Sequence, residues 1–243
     1  QATRCSAALK FGTVSPREVY HAVRREWGPR HKLNSQLLWR DFYTHFAHHF
    51  PSVFGQAIRP KDRFIDWRDA PENWQRWCEG KTGVPIVDAG MRELITTGYM
   101  HNRARMTVAS FLTKHLRIDW RRGERFFARH LLDYDPSVNN GNWQWSASVG
   151  LDSIPMRMFN PYTQVEKYDK GAEYVRHWVP ELRDVSEDLL TSGEAIDFST
   201  QAPDYPAPVV DHGAAYQRAK ETYATAREEA KANGYGRYDV TGR

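Results

Sequence analysis

The sequence NRARMTVASFLTKHL, residues 102–116, has the apolar spacing of a helix that is buried on one side. Apolar or small residues recur every three or four positions, which is the period of an α-helix. These residues are Met106, Ala109 or Ser110, Leu112 or Thr113, and Leu116, with Phe111 adding apolar surface. We therefore predict one continuous helix over this stretch.

Helix signals continue on both sides of this stretch. Ser15-Pro16-Arg17-Glu18 has the pattern of a capping box with Pro in the first turn, which predicts a helix from there to about Trp27. A second helix is expected before Pro51, and further helices should begin near Pro71 and Pro85. The Ala-rich segment 213–232 predicts a final amphipathic helix.

The chain shows no convincing strand-like alternation and no βαβ rhythm. We therefore predict an all-α fold, formed by residues 1–243 as a single domain without a Rossmann unit. One region breaks the helical pattern. Asn139-Asn140-Gly141-Asn142 interrupts any period within 133–161, so we expect a structured loop region with short helical turns there.

Composition excludes several classes of protein. The 243 residues contain no apolar run near 18, so no membrane-spanning helix is expected. The two cysteines, Cys5 and Cys78, are far apart, which disfavours a disulfide framework or a zinc site and favours a reducing location, in the cytoplasm or nucleoid. The net charge of +4 is mild. The basic stretch 114–129 is either a solvated helix face or a surface that follows phosphates.

Nine tryptophans are a high number for this length, and two of them lie in the polar segment Asn142-Trp143-Gln144-Trp145. Indole rings serve in packing, as stacking platforms and as redox relays. Carboxamide, carboxylate and guanidinium groups accompany this pair in the sequence, and they suit the polar edge of a flat heteroaromatic ligand. They are Asn102, Arg105, Asp133, Asp135, Asn139 and Asn140.

Eight segments in order resemble one known family, the photolyase/cryptochrome flavoproteins, and especially its class I cyclobutane pyrimidine dimer photolyases. They are TRCS (3–6) with KFG (10–12), QLLWRDFY (36–43), GKTG (80–83) with VDA (87–89), YMHNR (99–103), DWR (119–121), DYD (133–135), NNGNWQW (139–145) and FNP (159–161). The resemblance covers the chain nearly end to end. It implies a helical FAD-binding domain that repairs UV-damaged DNA when light excites its fully reduced FAD.

The resemblance also implies roles for individual residues at the cofactor. Small polar and backbone groups at a helix start would surround the FAD pyrophosphate, a site for which such groups are suited. Asn139 would face the flavin N5 edge, Arg105 and Asp133 would form a charge pair beside the ring, and Asp135 would contact the flavin. The remaining expected FAD contacts are Thr3, Arg4, Cys5, Ser6 and Arg40. The alternatives are an ordinary helix cap for 3–6 and a structural ion pair for Arg105 and Asp133.

By the same resemblance, Trp39 and Trp145 would hold a flipped-out pyrimidine dimer between their rings. Other residues would line that pocket or contact DNA: Gln36, Tyr43, Asn102 and Met106 for the pocket, and Arg103, Arg157 and Gln164 for the backbone. Core packing and solvated surface are the alternative roles for these residues. Trp143, Trp120 and Trp67 match a three-tryptophan relay that would carry electrons from the surface to the flavin.

Some features depart from the class I pattern. Gln36 stands where many dimer photolyases have Glu, which leaves the choice of lesion open, and Ala2 replaces a usual Thr. Nothing precedes Gln1, so we expect no light-harvesting domain and no antenna chromophore on this chain, in either a fragment or a miniature enzyme. A separate antenna domain or protein could then act with it.

Other functions remain open beside repair. A cryptochrome-like light sensor would keep FAD and the relay but signal through a partner. His45, His48 and His49 could form a metal-binding helix face, although an ordinary polar face fits them better and no metal is expected. For the repair enzyme we expect a monomer that binds DNA and no membrane.

Overall fold

The computed structural model describes residues 3–152, 154 and 156–236, so Gln1 and Ala2 lie outside the described residues. Within these ranges the chain forms twelve α-helices and no strand, which confirms the predicted all-α class. The helices are α1 (Ser6–Phe11), α2 (Pro16–Trp27), α3 (Lys32–His49), α4 (Pro71–Cys78), α5 (Pro85–Thr97), α6 (Asn102–Ser110), α7 (Trp120–His130), α8 (Pro136–Ser146), α9 (Pro161–Tyr168), α10 (Glu173–Trp178), α11 (Glu187–Leu190) and α12 (His212–Ala232).

Several predicted helix ends are confirmed by their capping contacts. At the start of α2 the Ser15 Oγ accepts from the Arg17 N–H at 3.2 Å, and the Ser15 N–H donates to Glu18 Oε2 at 2.8 Å. This reciprocal pair is the predicted capping box. Helix α3 ends two residues before Pro51, as expected from the missing N–H of proline. The short helices α9, α10 and α11 were not predicted from the sequence.

The helix predicted over 102–116 changes its geometry halfway. Helix α6 ends at Ser110, and Phe111–His115 forms a π-helix in which the Leu116 N–H donates to the Phe111 carbonyl at 3.1 Å. The prediction of one continuous α-helix was therefore wrong in its second half. The wider turn buries Lys114 as well as its apolar neighbours, and apolar spacing alone does not reveal this.

The prediction of a loop around 139–142 was also wrong, because these residues lie within helix α8. Its start is capped by Asp135, whose Oδ1 accepts from the Ser137 and Val138 N–H groups at 3.0 and 3.1 Å. Pro136 occupies the first helical position. Two of the polar residues that suggested a loop, Asn139 and Asn140, are buried. Asn139 binds Glu124 of α7, and Asn140 accepts from Gln144, which in turn binds the segment 53–58. Tertiary hydrogen bonds thus override their weak helix propensity.

The main core forms around α5, where nine of thirteen residues are buried. Helices α4, α6, α9 and α10 pack against it. Trp77 of α4 is fully buried, and its indole N–H donates to the Val108 carbonyl of α6 at 3.1 Å. None of the helices in the described ranges has the length and hydropathy needed to span a membrane.

Two glycines allow α8 to lie close to its neighbours. At Gly141 an added Cβ would overlap the ring of Tyr43 on α3, and at Gly123 of α7 it would overlap the ring of Trp143 on α8. Both glycines have ordinary helical backbone, so the requirement is for space and not for a positive φ. Helix α8 is therefore held close to α3 on one side and to α7 on another.

This close approach predicts that Gly141→Ala is destabilising. The new methyl group must push Tyr43 away or move α8, and overpacking of this kind costs about 1–3 kcal/mol. Urea unfolding of the variant measures the cost. Gly213→Ala is the matched control, since its Cβ would meet only Asp211 Oδ1, at an ordinary 3.5 Å. An unchanged unfolding free energy for Gly141→Ala would contradict the packing of α3 on α8.

Candidate functional site

A cleft opens between α6, the end of α7 and α8, and contains about 560 Å³ of space that is partly open to solvent. One part of its wall is apolar or aromatic: Met106, Ala109, Phe127, Leu131, Tyr134, Val138 and Trp143. The other part is polar: Asn102, Arg105, Asp133, Asp135, Asn139, Asn142 and Ser146. The cleft thus brings together most of the residues predicted at the flavin.

The Arg105–Asp133 pair predicted from the sequence is present. Arg105 Nη2 donates to both carboxylate oxygens of Asp133 at 3.1 and 2.9 Å, and Arg105 Nε donates to the Met100 carbonyl at 2.7 Å. The Asp133 side chain is only 4% exposed. A buried pair of this kind must be well oriented to offset its desolvation, so it forms a rigid polar edge to the cleft.

Asp135 joins the cleft to the N-terminal segment. One of its oxygens caps α8, and the other lies 3.5 Å from Lys10 Nζ on α1. Nearby, Arg4 and Arg105 approach the same Tyr99 ring at 5.4 and 5.6 Å. Residues predicted to bind the pyrophosphate are therefore linked to the rim of the cleft. Lys10 lies in the KFG segment of the resemblance, but no contact was predicted for it from the sequence.

The other residues predicted at the pyrophosphate have fewer described contacts. The Cys5 N–H donates to Thr3 Oγ1 at 3.4 Å, and Ser6 begins the six-residue helix α1. Arg40 pairs with its neighbour Asp41 at 3.4 Å, and none of its described contacts reaches the cleft. The FAD contacts assigned to Thr3, Cys5, Ser6 and Arg40 therefore stay predictions.

Asn139 is held by a residue that the sequence did not reveal, Glu124 of α7. Asn139 Nδ2 donates to Glu124 Oε1 at 2.9 Å and to the Glu124 carbonyl at 3.2 Å. Burial raises the pKa of Glu124, and the hydrogen bond from Asn139 opposes that rise. Because both hydrogen bonds of the Asn139 Nδ2 group go to Glu124, that residue fixes the orientation of the Asn139 carboxamide in the cleft.

The structure places two of the residues predicted for the lesion at the cleft. Asn102 and Met106 are in its wall, and Asn102 Nδ2 lies 3.5 Å from Met106 Sδ. Trp39 on α3 is 51% exposed and stacks on Tyr43, which is buried. Burial, with a smaller effect of the nearby Asp152 carboxylate, raises the pKa of Tyr43 to about 12.

Trp145, on α8, lies near the loop that follows that helix. Its ring is 6.2 Å from the Phe159 ring, and the Arg157 guanidinium lies 5.1 Å from its centre. Trp39 and Trp145 are not in ring contact with each other in the described part of the chain. Gln36 is exposed.

The residues predicted for the DNA backbone are only partly free. Arg103 lies over the Tyr168 ring at 4.3 Å, and Arg157 donates to both oxygens of Asp152 at 2.8 and 3.2 Å. Gln164 Oε1 is buried without a hydrogen-bond partner. Arg103 and Arg157 thus present a guanidinium that is oriented by the protein.

The three relay tryptophans lie at increasing exposure. Trp143 is buried in the cleft wall, Trp120 is buried in the core, and Trp67 is partly exposed. No described ring is in aromatic contact with Trp120. Trp143 instead lies 6.3 Å from Trp77, which stacks on Trp74 at 5.4 Å. That second pair depends on how α4 packs, so no local motif could have predicted it.

The basic stretch 114–129 does not form a continuous phosphate-binding surface. Lys114 is buried, Arg121 is bound to both oxygens of Asp119, and Arg122 lies 4.5 Å over the Trp74 ring. Arg125 and Arg129 remain exposed. The structure thus favours a helix face whose basic side chains mostly contact other residues of the same chain over a surface that follows phosphates.

The histidines weighed as a metal site lie in the open. His45, His48 and His49 are exposed on α3. Across residues 3–152, 154 and 156–236, no three His, Cys, Asp or Glu side chains are grouped as metal ligands would be.

Comparison with known proteins gives one consistent result. Residues 33–225 match the family described as the FAD binding domain of DNA photolyase. The deoxyribodipyrimidine photo-lyase of Synechococcus sp. is 44% identical over 227 residues, which cover 90% of this chain and 46% of that protein. The Escherichia coli protein of the same name is 44% identical over 238 residues, 93% of this chain and 50% of its own length. The chain spans about half the length of the curated relatives it matches.

Solved structures agree with these relatives. The archaeal photolyase from Sulfolobus tokodaii, crystallised with two FAD molecules, superposes with a TM-score of 0.85 at 44% identity and covers 93% of this chain and 50% of its own. A Synechocystis sp. cryptochrome superposes with a TM-score of 0.81 at 34% identity, over 91% of this chain and 48% of its own.

The partly buried Glu124 predicts a pH-dependent effect of Glu124→Gln. A carboxyl group whose pKa is raised by folding binds more protons in the folded state, so its contribution to stability falls as pH rises through that range. Gln keeps an acceptor for Asn139 but carries no charge. We expect Glu124→Gln to unfold at higher urea than the parent at pH 8, with the gain disappearing near pH 4.

Urea titrations at both pH values, at matched FAD occupancy, measure this difference. Glu79→Gln is the control, because Glu79 is exposed on the surface and its pKa is lowered by Gln75 and Lys81. An equal gain for Glu124→Gln at pH 4 and pH 8 would rule out the buried charge as its cause.

Proposed function

Because the chain belongs to the family of photolyase FAD-binding domains, we propose that it holds FAD in the cleft and uses light to split cyclobutane pyrimidine dimers in DNA. Bound FAD in its fully reduced form would supply, on excitation by light, an electron to the cyclobutane ring and would regain it after the ring has opened, so that the net redox change is zero. The protein's own residues bind the cofactor, orient it, and receive the lesion beside it.

The observation that carries this proposal is the pairing of a rigid polar edge with an aromatic wall in one cleft. Asn139 and the Arg105–Asp133 pair supply directed donors and acceptors, and Trp143 supplies an apolar surface. A flavin ring has the same division between a polar edge and a flat apolar face. The residues present therefore fit FAD, with Lys10 and Arg4 on the side where its phosphates would lie.

The lesion is proposed to enter beside Asn102 and Met106. An enzyme that acts on bases inside a duplex must flip them out and replace the lost stacking by new contacts. Trp145 and the half-exposed Trp39 offer aromatic faces for this purpose, and Arg157 and Arg103 offer cations for the flanking phosphates. Gln36 leaves the preference among photolesions open.

A light-sensing role is the second candidate, since the chain also superposes on the Synechocystis cryptochrome. A sensor requires the FAD cleft but not a lesion pocket. Repair of thymine dimers by the reduced protein under blue or near-ultraviolet light would support the first proposal, and FAD binding without any repair would favour the second.

Trp145→Ala should weaken the binding of dimer-containing DNA. Removal of one stacking face costs about 1–3 kcal/mol, while binding to intact DNA should change little. Fluorescence anisotropy with matched damaged and intact duplexes measures both affinities. Trp27→Ala is the control, because Trp27 is 60% exposed on α2 and does not line the cleft. Parent-like discrimination in Trp145→Ala would remove Trp145 from the lesion pocket.

Trp67→Phe should slow the light-driven reduction of bound FAD without affecting repair. Phe keeps an apolar ring but is much harder to oxidise, so it interrupts a relay through Trp143, Trp120 and Trp67. Repair should be unchanged once the FAD is reduced with dithionite, because the relay is then bypassed. Transient absorption of the oxidised protein and the repair yield of the reduced protein are the two measurements.

Trp74→Phe is the matched variant for this experiment. Trp74 is also half-buried and connects to Trp143 through Trp77, but the Arg122 guanidinium 4.5 Å from its ring opposes a positive charge there. We therefore expect normal photoreduction in Trp74→Phe. A slow Trp74→Phe beside a normal Trp67→Phe would move the relay to α4 and overturn our assignment.

A further inference from the structure

Lys114 is a buried lysine for which neither the cofactor cleft nor the core has an evident use. It lies in the π-helix after α6, and its side chain is fully buried. Its Nζ donates to two backbone carbonyls, those of Ser146 and of Arg157, the latter at 2.5 Å. An apolar residue would fill the same space without burying an amine, so the two hydrogen bonds need an explanation.

The two carbonyls belong to the two sides of the Trp145 wall. Ser146 is the last residue of α8, directly after Trp145, and its carbonyl is one of those that a helix end leaves without an intrahelical partner. The other carbonyl is that of Arg157, whose guanidinium lies over the Trp145 ring. The Lys114 amine thus connects the end of α8 to the segment that carries the Arg157 guanidinium.

We propose that Lys114 is a positioning residue for lesion recognition, which holds the Trp145 ring and the Arg157 guanidinium at one fixed separation. This inference rests on the proposed function, since it assumes that Trp145 and Arg157 contact the damaged DNA. Lys114 itself touches neither FAD nor DNA and acts through the two backbone carbonyls.

Other contacts also hold the loop. Ser110 Oγ accepts from the Phe159 N–H at 3.2 Å, and Asp152 binds the Arg157 side chain. Ser148 Oγ, two residues past the end of α8, accepts from the Arg157 N–H at 3.1 Å. Lys114 differs from these contacts because its amine binds a carbonyl of α8 itself, that of Ser146. The wide π-turn is what directs Lys114 inward toward both carbonyls, in agreement with the frequent occurrence of such turns at functional sites.

The connection does not depend on the charge of Lys114. Burial lowers its pKa to about 7, with Asp152 opposing this change and Arg157 adding to it. The ammonium has three N–H donors, and the neutral amine keeps two, which is enough for two carbonyls. The tie therefore persists on both sides of neutral pH.

The test compares Lys114→Met with Thr113→Val in FAD-loaded protein. Met keeps the length and apolar stem of Lys but has no donor. Thr113 is the buried neighbour in the same π-turn, and its hydroxyl bonds only within that helix, to Ala109 and Ser110 carbonyls. The measurements are hydrogen exchange of the backbone amides in 145–148 and 156–160, and affinity for matched damaged and intact duplexes.

In Lys114→Met we expect faster exchange in those two segments, unchanged bound FAD and unchanged affinity for intact DNA. The preference for damaged DNA should fall about fivefold or more, the lower end of what a lost stacking face costs. Thr113→Val should match the parent in all four properties. General destabilisation would not separate damaged from intact DNA in this way, so the split identifies positioning.

Three results would overturn the proposal. Parent-like exchange in both segments would show that Lys114 ties nothing. Faster exchange with full preference for damaged DNA would show that the wall need not be held, provided that Trp145→Ala has lost that preference. If Trp145→Ala also keeps its preference, the lesion pocket itself is wrong, and the proposal fails with it.

Should Lys114→Met not fold, Lys114→Gln gives the same comparison, because its shorter amide cannot reach both carbonyls.

Discussion

The whole site depends on the burial of one polar helix, α8. Gln144 is fully buried, and each of its side-chain atoms is paired: Nε2 donates to the carbonyls of Val53 and Gln56 and to Asn140 Oδ1, while Oε1 accepts from the Ile58 N–H. A buried carboxamide without these partners would cost about 1–3 kcal/mol for each unmade bond. The helix can therefore pack against its neighbours in only one rotation.

That rotation divides the surface of α8 into three faces. The first face forms a wall of the cleft, with Asn139, Asn142, Trp143 and Ser146. The second carries Asn140 and Gln144 toward the segment 53–58, and the third places Gly141 against Tyr43 of α3. Because the second and third faces fit only one arrangement, they also fix the direction in which Asn139 and Trp143 point into the cleft.

Groups that are costly to bury lie around this helix. The Arg105–Asp133 pair, the Glu124 carboxyl behind Asn139 and the Lys114 amine are each partly or fully withdrawn from solvent, and an apolar residue is often less costly at such a position. They lie on the side of the molecule where cofactor and lesion are proposed to bind. A preorganised polar site requires groups of this kind.

The sequence by itself determined the fold class, the capped start of α2, the ends of α3 and α12 and the residue types at the polar edge of the cleft, because these follow from local spacing and from motifs. Tertiary structure decided the rest. Asn139-Asn140-Gly141-Asn142 has the composition of a loop but lies in α8, where Glu124 of α7 binds Asn139 and the buried Gln144 binds Asn140. Lys10 and Lys114 are bound by partners that lie 32 to 125 residues away in the sequence. Glu124 is bound by Asn139 of a neighbouring helix. A local sequence pattern cannot reveal such contacts, because they form only when the helices pack together.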